Sequence, residues 1–151
     1  MFHYTHYNES SESKSLLRAI ESARQMSTNI KMETENGRQL SQDFLKENLQ
    51  TLWVDGIIVL DAEGKTDCEY STDESLANEI TEYLQKEIIM NFAGYEERSY
   101  SERFTREDGS FIDIAACARK DALGIVAIYY YTSPEFARNY TPVSYTHLTL
   151  P

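Results

Sequence analysis

Three apolar runs separated by two reversal signals fill residues 98–132, RSYSERFTREDGSFIDIAACARKDALGIVAIYYYT, and they constrain the fold more than any other stretch. Glu107-Asp108-Gly109 supplies the Asp-Gly pair of a tight hairpin, where glycine takes a positive φ without a Cβ clash, and Lys120-Asp121-Ala122 supplies a second reversal. Ile112, Ile114, Ala116 and Ala118 alternate with Asp113 and Arg119, so this run predicts a strand with one apolar face and one mixed face. An apolar sheet face has to be buried against another layer, so helices packed on the sheet are expected from the rest of the chain.

That cover is legible upstream. Leu16, Ile20, Ala23 and Ile30 recur at helical intervals, and Leu40, Phe44, Leu45, Leu49 and Leu52 do so again after Asn36-Gly37, which predicts one long helix kinked near Gly37, or two helices. WVDGIIVLD, residues 53–61, reads as a strand, Ala62-Glu63-Gly64-Lys65 as a turn and TDCEYS as the returning strand. Leu76, Ile80, Tyr83, Leu84 and Ile88 place a further helix within Ser71 to Asn91, after Ser and Asp residues able to cap its start. Ser133-Pro134 opens a short helical or extended exit through Phe136 to Tyr140. The order predicts an α+β fold: an antiparallel sheet of about five strands, a long N-terminal helix and a second helix packed on it.

The ends differ from the middle. NESSESKS, residues 8–15, has the composition of a frayed lead-in, so residues 1–15 are expected to be flexible and the domain to run over 16–141. The last nine residues, VSYTHLTLP, reverse-translate as GTC TCT TAT ACA CAT CTG ACG CTG CCG. That string matches a transposase mosaic end and the adapter that follows it, and the two preceding bases fit a codon for Pro142. Residues 142–151 are therefore expected to be non-native, and the parent protein to be longer.

Length and charge exclude several functions. A chain of 151 residues, 41% hydrophobic, is the usual size of one domain with its own core. A net charge of -11 without a basic stripe argues against nucleic acid and against anionic bilayer surfaces. No run approaches the roughly 20 apolar residues that cross a bilayer. Phosphate loops, HExxH, CxxC and GxSxG are absent from the sequence, and the histidines are His3, His6 and the tail's His147, so histidine acid/base catalysis is excluded and no catalytic residue, cofactor or metal is expected. Cys68 and Cys117 read as small core or half-exposed strand residues.

DGIIVLDAEGK followed by SERFTREDGSFIDIAACARKDALGIVAIYY resembles the PAS-like sensor domains, and specifically their extracytoplasmic Cache type, over Leu16 to Tyr140. The resemblance implies a small-molecule sensing domain, outside the cytoplasm, of a membrane receptor of the sensor histidine kinase type. It also implies flanking membrane segments and a homodimer in the intact receptor, with the stripe of Leu16, Ile20, Ala23 and Ile30 able to face the partner chain as well as the sheet. A cytoplasmic PAS interaction module is the alternative, and the absence of an Asp-Ile-Thr exit from the last strand speaks against it.

Candidate binding residues lie on the meander. Arg119 can fork a ligand carboxylate and Asp121 can hold an ammonium, although a local ion pair is the plainer reading. Tyr100 and Tyr129 are expected to surround a small carboxylate-bearing metabolite there. Tyr129 and Tyr131 share a strand face and Tyr130 points away; packing against a helix is the first expectation for this run.

Overall fold

The computed structural model describes residues 2–140, with side chains over 11–138. The elements are α1 (Phe2–Glu35), α2 (Gln42–Leu52), β1 (Gly56–Asp61), β2 (Thr66–Ser71), α3 (Glu74–Leu84), α4 (Glu87–Ala93), β3 (Ser99–Thr105), β4 (Phe111–Ala118), β5 (Gly124–Thr132) and α5 (Pro134–Tyr140). The strands form one antiparallel sheet in the order β2-β1-β5-β4-β3, so the final strand joins the first hairpin to the meander. This is the α+β, PAS-like arrangement expected from the sequence.

Strand alternation sorts the core into two layers. Ile57, Val59, Ala115, Cys117, Val126, Ile128 and Tyr130 face α1 and α2, where they meet Ala19, Ala23, Met26, Ile30, Leu45 and Leu49. Ile58, Leu60, Ile112, Ile114, Ala116, Ile125, Ala127 and Tyr129 face α3 and α4, where they meet Leu76, Ile80, Leu84, Ile89 and Ala93. Each fully buried isoleucine or leucine contributes about 1.5–3 kcal/mol through removal from water. The strand expected to have a mixed face is instead buried on both faces from Phe111 to Cys117, because α1 covers the side that carries Asp113.

Asp113 sits in that cover with Arg103 Nε and Nη2 donating to its two oxygens at 2.6 and 2.8 Å, and Ser15 Oγ donating at 2.6 Å. Glu12 adds a 3.8 Å ion pair to Arg103. These polar contacts explain a departure from expectation: residues 8–15, which composition alone reads as a frayed end, continue α1, and Glu12 and Ser15 tie the helix to the sheet by a polar seam. The seam continues through Ser22, whose hydroxyl meets that of Tyr130 at 2.9 Å, and Ser27, which donates to the Ala118 carbonyl at 2.9 Å. The side chains of His3 and His6 and the tail 142–151 lie outside what is described.

Two helix breaks set the geometry. Gly37, at φ 81°, separates α1 from α2, and Ser41 caps α2 by accepting from the Phe44 amide at 3.1 Å. Lys86, in extended backbone, separates α3 from α4 where the sequence predicts one helix to Asn91. The break changes the face that α4 presents: Ile89 and Ala93 enter the core, and Ile88, expected there, is 76% exposed. Both cysteines are free; Cys117 is buried beneath α1, and burial pushes its thiol up to about 11. Among the described residues, no helix is long and apolar enough to cross a membrane.

Candidate functional site: a cleft between α3 and the outer strands

Helix α3 lies over β1, so part of β3 and β4 on the same face is left uncovered. The gap is a cleft of about 450 Å³ with Ile80, Ile112 and Ile114 in its floor, Tyr83 and Phe104 in its wall, and Glu79, Glu82, Lys86, Thr105 and Arg106 around its mouth. Strand register puts Phe104 opposite Ile112 and Glu102 opposite Ile114, which aligns the β3 wall with the β4 floor. On α3, Ile80 and Tyr83 are three residues apart and therefore point to the same side.

The aromatic wall is held firmly. The Tyr83 ring meets Phe104 edge-on, with centroids 4.7 Å apart and planes at 78°, a favoured quadrupole arrangement. Its hydroxyl lies 2.8 Å from that of Tyr100 and donates to Glu102 Oε2 at 3.2 Å. Burial, then the hydrogen bond to Tyr83 and the charge of Glu102, push the Tyr100 hydroxyl well above the usual phenol range, so it stays neutral. Lys86 Nζ stands 4.4 Å from the Tyr83 ring centroid, and Arg106 Nη2 lies 4.0 Å from Glu79 Oε2 in a loose, exposed pair. An apolar floor, a fixed aromatic wall and a charged mouth are features of a small-molecule site. Among the described residues, no three His, Cys, Asp or Glu side chains cluster to hold a metal.

The four residues singled out from the sequence are not brought together in this cleft. Arg119 and Asp121 lie at the β4–β5 reversal, where Arg119 Nε and Nη2 donate to Asp121 at 3.1 and 2.8 Å. Arg119 Nη1 donates to Asp67 and, at 3.3 Å, to the Leu60 carbonyl. The fork expected to take a ligand carboxylate is filled by the protein's own acids, with the guanidinium and Asp121 5% and 6% exposed. Burial alone would lower the Arg119 pKa, and the hydrogen bonds and charges of Asp121 and Asp67 raise it instead.

Tyr129 serves the core: it is fully buried, its ring lies where a Cβ on Gly56 would stand, and its hydroxyl bonds that of Ser71. Burial pushes that hydroxyl up to about 12. Tyr130 packs against α1 beneath Arg18, as the helix-packing reading of the tyrosine run expects. Tyr100 alone of the four touches the cleft's frame, through its bond to Tyr83. Sequence reasoning places Tyr83 among helix core residues and passes over Lys86, Phe104 and Arg106; the charges bracketing Tyr83 at helical spacing are the available signal.

No protein-family model and no curated protein matches the chain. Among solved structures, an extracellular ligand binding receptor from Desulfohalobium retbaense DSM5692 is 12% identical at a TM-score of 0.49, over 92% of this chain and 26% of that one. A domain described as belonging to a sensory box/GGDEF family protein from Vibrio parahaemolyticus is 17% identical at a TM-score of 0.31, over 83% of this chain and 62% of that one. The extracellular domain of a protein described as a histidine kinase is 18% identical at a TM-score of 0.27, over 84% of this chain and 59% of that one. This chain thus spans about a quarter of the first of these proteins.

Proposed function

We propose that this chain is the small-molecule sensing domain of a signal-transduction receptor of the histidine kinase kind, held outside the cytoplasm by segments that flank it in the parent protein. The observation that carries the reading is the cleft on the α3 face of a PAS-like sheet. Its 450 Å³ falls within the range of about 300–1,000 Å³ usual for ligand pockets, and it joins isoleucine floor, aromatic wall and charged mouth in one concavity. The domain binds and reports; it performs no chemistry. A small carboxylate-bearing metabolite remains the ligand class, received in the cleft and not at the filled Arg119 fork.

The test is a thermal-shift screen of organic acids, amino acids and purines on the wild type and on Glu82→Trp. Glu82 is exposed on α3 and lines the cleft mouth, so an indole there obstructs the opening without disturbing the core. A ligand should raise the melting temperature of the wild type and fail to do so in Glu82→Trp. Equal stabilisation of both proteins by every active compound would remove the cleft from the account.

A further inference from the structure

We infer that the cleft is built for a hydroxylated aromatic carboxylate, with its acid group at Lys86, its ring on the Tyr83–Phe104 wall and its hydroxyl at the Arg106–Glu79 pair. The inference rests on the reading of the cleft as the sensing site and specifies what that site selects. Each part answers a different observation.

The acid end follows from Lys86. Its ammonium lies over the Tyr83 ring at the mouth and, among the described residues, makes no ion pair. In a chain of net charge -11, a cation that is held in place without a carboxylate is a local attraction for an anion, and the attraction is strengthened where one side of the pair is apolar protein. A ligand carboxylate can approach the ammonium from the cleft while the ring contact persists on the other side.

The ring follows from the wall. Tyr83 is locked by its edge contact to Phe104 and by two hydrogen bonds at its hydroxyl, so its own polar group is satisfied behind the wall and adds no polar demand to the cleft. A rigid aromatic surface above an isoleucine floor favours a flat unsaturated body, because ring pairs gain beyond the area they bury. The hydroxyl follows from the far end. Arg106 and Glu79 form a loose pair at 4.0 Å, offering a donor and an acceptor side by side, and a hydroxyl is both. Glu79 stands four residues before Tyr83 and Lys86 three after it, so the two polar ends flank the aromatic wall as an acid arm and a ring hydroxyl flank a phenyl body.

Calorimetric titration with para-hydroxyphenylpropionate, its amine counterpart tyramine and the ring-free acid hexanoate tests this on the wild type, Lys86→Gln, Lys86→Arg and Glu82→Trp. Lys86 makes no side-chain cap, so neither substitution endangers the fold. The aromatic acid should bind the wild type at least about tenfold more tightly than either competitor, weaken about tenfold in Lys86→Gln, keep most of its affinity in Lys86→Arg and be lost in Glu82→Trp. Tyramine binding as tightly as the acid, or an unchanged affinity in Lys86→Gln, would overturn the inference. If no aromatic acid binds but another compound is blocked by Glu82→Trp, the ligand class falls and the sensing cleft stands; if no compound is blocked by it, both fall.

Discussion

At the scale of single residues, partner identity decides what a charged side chain does. Arg119 and Arg106 both follow a strand of the meander, and nothing local in the sequence distinguishes them. Arg119 meets Asp67, 52 residues upstream, because the β1–β2 hairpin lies beside the β4–β5 reversal, and this long-range pairing converts an apparent ligand anchor into a clamp between hairpins. Arg106 ends in an exposed, long contact and stays available. The Arg119→Ala variant is therefore expected to destabilise the fold by about 3 kcal/mol, since it leaves the nearly buried Asp121 without its counter-charge. Urea unfolding monitored by circular dichroism measures this, and a variant as stable as the wild type would return Arg119 to the list of free side chains. Tyr129 teaches the same lesson: alternation correctly gives its face, but only the close approach of Gly56 shows that its ring is core.

Among the elements, strands and turns are the most legible parts. Apolar and branched runs between turn signals locate all five strands, and the Asp-Gly turn signal matches Gly109 at φ 91° with Asp108 accepting from the Ser110 hydroxyl and amide. Helix limits are less legible. The polar start of α1 is helical because Ser15 and Glu12 find partners on β3 and β4, and composition carries no information about such partners. The split of α3 from α4 has no Gly or Pro to announce it, yet it aims Lys86 at Tyr83 and so shapes the cleft.

Asp73 starts α3 by accepting from the Ser75 hydroxyl and from the Ser75 and Leu76 amides, and these bonds hold its carboxyl below the usual value of 3.8. Because the folded pKa is the lower one, the stabilisation is complete above the unfolded value and disappears as pH falls through the folded value. Asp73→Asn keeps a capping acceptor but cannot titrate. Its stability should therefore decline less steeply than that of the wild type between about pH 5 and pH 2. Denaturant midpoints across that window check it, and parallel acid limbs would show that the Asp73 cap does not titrate with folding.

For the whole molecule, the α+β class is readable because helix, hairpin, helix and meander follow one another in recognisable order. The candidate cleft is not, because a cleft is a space between elements, and its lining comes from α3, the Lys86 linker, β3, its turn and β4 together. The sheet's two faces have different duties. The α1 face is packed by small residues and a polar seam; of the stripe able to face a partner chain as well as the sheet, Ala23 and Ile30 are fully buried and Leu16 and Ile20 half-buried. The α3 face keeps the opening.

That a ligand sits in this opening is tested by amide chemical-shift mapping of the isotope-labelled domain. On titration with an aromatic acid, the largest shifts should fall on Tyr83, Lys86, Phe104, Arg106 and Ile112, with Arg119, Lys120 and Asp121 unmoved. Shifts centred on residues 119–121, with the α3 and β3 resonances unchanged, would contradict it.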